Sequence, residues 1–265
     1  MNCEVRQPRG LALSPDGGVY VAGADGLEHR SLTGPLNRRV ALDAPAHGVT
    51  VARDGTVLVI AEARVMQLTP NLESGAAWSA PGEGHLFTAI AAGREDVWVA
   101  DAGNRVVHRF NLAGKPLGAI GDRAIPERPH GFMVPSPYFD VALGPAEELW
   151  IVNPGERRVE RCAPDGRIMQ AWGTSAMTIE GFCGCCNPTH IAVRADGAFV
   201  TSEKGLPRVK LYDPRGGFLG VVAGTETFAE GTVGLDLAVD AQRNVLVLDP
   251  KAGCVRVFVE KTRDA

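Results

Sequence analysis

The sequence predicts an all-β fold: a six-bladed β-propeller of four-stranded antiparallel blades. Three observations carry this. A unit of two short apolar segments around a polar turn recurs six times, its starts 38 to 51 residues apart. About four strands fit each period, the signature of a propeller blade. No stretch sustains the 3.6-residue apolar period of a helix.

The units run in order. They are "GLALSPDGGVYVA" from Gly10, "GVTVARDGTVLVI" from Gly48, "AIAAGREDVWVAD" from Ala89, "DVALGPAEELWIVN" from Asp140, "HIAVRADGAFVTSE" from His190 and "DLAVDAQRNVLVLD" from Asp236. Each alternates around a turn of the Asp-Gly type, as an antiparallel hairpin does. Third strands read at 105–110, 158–163, 208–213 and 254–259, and outer fourth strands at 116–121, 167–173 and 218–224. The last unit stops near Val259, and the chain opens on an unassigned segment, "CEVR" at 3–6. That segment is expected to complete blade six and close the ring, which removes an open sheet edge. The result is one domain, with blades near 8–43, 44–84, 85–137, 138–188, 189–234, and 235–259 plus 2–7.

Composition narrows the function classes. The chain has 265 residues, 45% hydrophobic and 22% charged, the balance of a soluble globular protein. No apolar run approaches the ~18 residues of a membrane helix, so no membrane partner is expected. Polar "NCEVRQPRG" directly after Met1 carries no leader pattern, which points to the cytoplasm unless a leader has been removed. A net charge of −4 gives no bulk attraction to nucleic acid. The expected partners are a protein or a small molecule at a loop-rich face, and the expected state is a monomer.

The third unit carries a resemblance. "VWVADAGNRVVHRF" (97–110) resembles the core of the NHL repeat, and "RPHGF" (128–132) is similar to the Pro-x-Gly that opens such repeats. All six units fit this pattern, though the first two lack its Asp and Asn. The resemblance implies a propeller. It implies no single activity, since NHL propellers include interaction modules, RNA-binding modules and a lyase class.

Propeller geometry sorts the loops. One face carries the turns between second and third strands and the links between blades, and first strands line the channel. The first-strand starts around the ring are Gly10, Gly48, Ala89, Asp140, His190 and Asp236, and the second-strand ends are Gly23, Ala61, Asp101, Asn153, Glu203 and Asp249. Both rings are small or apolar in blades one and two and polar on the far side, as a site at one side of the mouth requires. The link "GFCGCCNPT" (181–189) reaches this face, as do Arg105, Arg158, Lys204 and Arg208.

The cysteines set the leading reading. Six are present, three of them within Cys183, Cys185 and Cys186, with His190 following. Three sulfurs and an imidazole suit a transition metal: copper, zinc or an iron–sulfur centre. The same thiols suit a redox pair, with Lys204 and Arg208 lowering a thiol pKa, or a disulfide that only shapes the loop. The expected function is a propeller scaffold with a metal-binding or thiol-redox site at Cys183, Cys185, Cys186 and His190. Asp140, Arg158, Glu203, Lys204, Arg208 and Asp236 support it at the channel mouth. A metal-dependent lyase or hydrolase using Asp140, His190, Glu203 and Asp236 is the alternative. A protein- or RNA-binding module without catalysis is another. Asp101 is expected to pair with Arg105, while His85, His108 and His130 offer no evident partner. Cys3 and Cys254 fall close enough in the predicted sixth blade to raise a closure disulfide.

Overall fold

The computed structural model describes residues 1–34, 36–121 and 131–260. It is a six-bladed propeller of 23 strands, with one short 3-10 turn at Thr225–Thr227 as the only helix among the described residues. Each of the first five blades is a four-stranded antiparallel meander. Blade three, for example, runs Phe87–Ala92, Asp96–Asp101, Val106–Asn111 and Pro116–Ile120. Blade five runs His190–Val193, Phe199–Glu203, Arg208–Tyr212 and Phe218–Ala223.

A size rule repeated in sequence holds the blades together. On second strands, Tyr20, Leu58, Trp98, Trp150, Val200 and Leu246 occupy one position, all at most 5% exposed. Opposite them on the first strands stand Ala12, Thr50, Ala91, Ala142, Ala192 and Ala238. The small partner near the axis leaves room for the large residue that fills the wedge between blades. Each such side chain contributes roughly 1.5–3 kcal/mol through burial. Cys162 belongs to the same packing, buried opposite Leu149 in the core shared by blades three and four.

Blade six has three strands, Asp236–Val239, Val245–Asp249 and Cys254–Phe258, and the N-terminus supplies its outer edge. The paired residues are Met1 to Cys3 rather than 3–6. Val255 N–H donates to Met1 O at 2.8 Å, Cys3 N–H donates to Gly253 O at 2.8 Å, and Asn2 bridges Cys254. Further along, Val5 is buried between blades six and one. Cys3 and Cys254 are both free thiols, and burial pushes the Cys3 thiol up to about 12.

Candidate functional site at the channel mouth

Where the channel opens, residues at the starts of first strands and just ahead of them line a cavity of about 620 Å³. Arg9, His47, Thr88, Tyr138 and His190 project from these positions, and Lys251 joins them from the blade-six turn. The channel below holds a further cavity of about 290 Å³, lined by all six first strands, with Asp140, His190 and Asp236 at its upper rim. His190 lines both.

The two aspartates tie blades together. Asp140 Oδ2 accepts the Ile191 N–H of blade five at 2.8 Å, and its Oδ1 accepts the Val141 N–H at 2.8 Å. Asp236 repeats this between blades six and one, accepting Leu11 N–H at 2.7 Å and Leu237 N–H at 2.8 Å. Burial raises both carboxyls. Asp140 is raised well above the usual range, with the charge of Asp236 adding to the effect, and Asp236 reaches about 7.

His190 sits between them in sequence and around the ring. Burial lowers its pKa to about 4, so the ring is neutral near pH 7. The Ser202 hydroxyl donates to Leu235 O at 2.7 Å. Its oxygen is therefore left to accept weakly from His190 Nδ1–H at 3.4 Å. That assignment frees Nε2 as a lone-pair donor, the state of a general base or metal ligand. Tyr138 packs edge-on against the ring, centroids 5.8 Å apart.

The cysteine link is strapped to the same rim. Buried Asn187 donates Nδ2 to Cys183 O at 2.7 Å and to Lys204 O at 3.1 Å, and accepts Lys204 N–H at 2.9 Å. Lys210 Nζ donates to Ile179 O at 3.1 Å and Gly181 O at 2.8 Å. The thiols divide. Cys185 Sγ and Cys186 Sγ lie 2.9 Å apart, Cys185 exposed and Cys186 buried. Cys183 instead contacts Glu203 Oε2 at 3.9 Å and Arg208 Nη2 at 3.8 Å. No three of Cys183, Cys185, Cys186 and His190 bring donor atoms within 4.8 Å of one another. The four-donor metal set expected from spacing is not assembled, because Asn187 turns the chain between the thiols and the histidine.

Electrostatics distinguish the adjacent pair. Burial opposes a thiolate at Cys186. The Cys185 S–H, the neighbouring Ser136 hydroxyl and the Lys204 ammonium outweigh it and hold this thiol below its ordinary value. Cys185 is raised, chiefly because it gives its hydrogen bond to Cys186. Lys204 Nζ also lies 5.2 Å from the Tyr138 ring, so the dithiol adjoins the wall of the cavity.

Other expected site residues have structural duties. Glu203 is fully buried, bound to Arg208 Nη2 at 2.8 Å and to Lys210 Nζ. It is no channel ligand. Arg158 holds Glu160 at 2.6 Å. Asp101 is held by His85 at 2.7 Å, His108 at 3.0 Å and Asn104 rather than by Arg105. Arg105 precedes the third strand as Arg157 does, so it is not the equivalent of Arg158. His130 and the first three residues of "RPHGF" lie outside the described residues. Arg9, Tyr138 and Lys251 were not anticipated. Arg9 and His47, whose Nη1 and Nδ1 lie 2.8 Å apart, each stand one residue ahead of a predicted first-strand start, Gly10 and Gly48, and that offset was the available signal.

The fold and mouth define a six-bladed propeller with a cavity at the channel entrance. Solved structures of the same architecture include a gluconolactonase from Xanthomonas campestris (TM-score 0.69, 16% identity, 96% of this chain and 86% of that one). A streptogramin B lyase aligns with TM-score 0.67 at 13% identity, over 99% and 86% of the two chains. Virginiamycin B lyase from Staphylococcus aureus aligns with TM-score 0.64 at 16% identity, over 99% and 88%. These likenesses show the fold alone. No family model matches the chain, and no curated protein does.

Proposed function

We propose that the chain is a propeller scaffold performing thiol–disulfide exchange at Cys185 and Cys186, on the rim of a small-molecule cavity. The 2.9 Å approach of the two sulfurs carries this reading. Exposed Cys185 loses its proton to solvent and attacks one sulfur of an incoming disulfide, and a thiolate leaves. Cys186 then gives up its own proton, attacks the mixed disulfide at Cys185 and releases the second thiolate. From the doubly protonated pair, two electrons reduce the incoming disulfide and two protons are released. Incubation with oxidised glutathione should remove about 2 Da from the peptide spanning residues 181–190, reversibly with dithiothreitol. Cys185→Ser should abolish the change. An unaltered mass with both thiols still titrating would overturn the reading.

The mouth cavity favours a second reading, a lyase or hydrolase acting on a small molecule. Neutral His190, free at Nε2 and flanked by Tyr138 and Arg9, supports it, as do lyase and gluconolactonase neighbours. Lactone opening, followed as acid release, should be lost in His190→Gln. Turnover equal in both proteins would remove His190 from the chemistry.

A further inference from the structure

We propose that His85, Asp101 and His108 form a binding site for a divalent transition-metal ion of the zinc class, at the mouth-side end of blade three. Among the described residues, these alone bring three metal-ligating side chains within 4.8 Å of one another. Asp101 Oδ2 lies 2.7 Å from His85 Nδ1 and 3.0 Å from His108 Nε2. Donors around tetrahedral zinc stand roughly 3.3 Å apart, given metal–ligand distances near 2.0–2.1 Å. The two carboxylate–imidazole separations, 2.7 and 3.0 Å, need to widen by roughly 0.6 and 0.3 Å to reach that spacing.

Comparison among blades separates this site from ordinary blade packing. The end of each polar second strand faces a third-strand residue seven positions on. In blades five and six that pair is an acid with a fixed cation: Glu203 with Lys210, and Asp249 with Arg256. A phenylalanine from the preceding link packs on each cation, Phe182 at 4.6 Å and Phe228 at 5.8 Å. Blade three keeps the acid, Asp101, but replaces the cation with His108, on which His85 of the preceding link packs beside Phe87. The His85 and His108 rings meet edge-on, centroids 5.4 Å apart. The repeated slot is thus converted from a closed ion pair into two imidazoles on one carboxylate. That is the donor set of many zinc and non-haem iron sites.

Protons alone do not close this network. His85 Nε2 is buried without a partner, and the side chain is 6% exposed. With the proton on Nδ1, Nε2 is a bare buried acceptor. With the proton on Nε2, lone pairs of Nδ1 and Asp101 Oδ2 face each other across 2.7 Å, with only the Asn104 amide, its Nδ2 3.0 Å from each, between them, and Nε2–H is still a buried donor without a partner. A cation between them removes that repulsion. The carboxylate is already oriented for it. Asp101 Oδ1 accepts N–H groups from Leu86 at 2.9 Å, Gly103 at 3.0 Å and Asn104 at 3.2 Å, which turns Oδ2 toward the imidazoles. Such outer contacts fix ligand direction in metal sites. The backbone is built around the cluster as well: a Cβ at Gly103 would sit 2.2 Å from Gly84 O. His108, its side chain 11% exposed, is the ligand nearest solvent.

Cobalt(II) tests this, because tetrahedral cobalt absorbs visibly where zinc does not. The full chain carrying Cys185→Ser and Cys186→Ser removes the thiol pair as a competing site. It should bind one equivalent of Co²⁺ with visible bands that Zn²⁺ displaces. His85→Phe keeps an aromatic ring against His108, and His108→Lys restores the acid–cation pair of blades five and six, so each should fold. Each should weaken binding at least about 100-fold. Absence of bands at millimolar Co²⁺, or bands that persist in both variants, would overturn the site.

Discussion

The Asp236 carboxylate accepts the Leu11 N–H at 2.7 Å across the seam where the last blade meets the first. Asp140 makes the same bond to Ile191 two blade boundaries earlier, between blades four and five. The polar half of the mouth is therefore partly a set of straps between first strands. The apolar half has its own cause. A Cβ on Gly10 would lie 2.8 Å from Gly48 Cα, so blades one and two approach too closely for side chains there. The lopsided ring records strand spacing as well as function.

The strap sets a pH dependence. Burial raises Asp236 to about 7 in the folded protein from an ordinary value of 3.8. Folding therefore holds a proton that the unfolded chain releases. This contribution to stability is full below pH 4 and declines as pH rises toward 7. Asp236→Asn removes the titration, so its Tm relative to wild type should rise across that window, by about 4 kcal/mol or roughly 8–16 °C, and then level off. A Tm difference constant from pH 4 to 8 would show that Asp236 does not titrate this way.

Ring closure gives a second prediction. Deleting residues 1–7 removes the outer edge of blade six and the burial of Val5. It also strips Glu28 Oε2 of the Glu4 and Val5 N–H groups, 2.8 and 3.1 Å away, leaving a fully buried carboxylate underbonded. A loss of about 3–5 kcal/mol is expected, or roughly 10 °C in Tm for a domain this size. Thermal melts of the truncated and complete chains decide it, and equal values would rule out closure as a source of stability.

The propeller was legible because six alternating units repeat one size pattern, and that pattern survives as the alanine-to-large-residue pairing between first and second strands. The thiol loop was placed on the correct face for the same reason. The site was less legible where it depends on a single residue of phase. Arg9 and His47 enter the cavity from one position ahead of the predicted strand starts Gly10 and Gly48, while Asp140 and Asp236 turn their carboxylates onto neighbouring backbone. His85 was invisible for a different reason. It meets His108 only because the link preceding blade three folds over the third strand, a juxtaposition no repeat period encodes.

Asn187 links the loop to the scaffold, and removing its amide should free the thiols. Asn187→Ala forfeits three hydrogen bonds, a buried one to Cys183 O and partly buried ones to both backbone groups of Lys204. The expected cost is about 2–4 kcal/mol of local stability. Cys186 is 3% exposed in the intact loop. Its labelling by a maleimide should accelerate at least about tenfold in the variant, while Cys162, deep in another core, stays unreactive. Unchanged labelling of Cys186 would mean that other contacts hold the loop.

Lys210 offers the sharpest test of how the loop is tied to blade five. Its side chain is fully buried, paired with Glu203, bonded to Ile179 O and Gly181 O, and set on the Phe182 ring. Lys210→Met keeps the stem and removes the charge, leaving Glu203 with Arg208 alone. Breaking one side of a buried pair costs about 3–5 kcal/mol, because the remaining charge stays desolvated. Glu203→Gln in the same chain removes that stranded charge, so the double variant should recover part of the loss, with a coupling of about 1–3 kcal/mol. Urea unfolding of the four proteins measures the cycle. Strict additivity would mean that Lys210 acts through the loop carbonyls and not through Glu203.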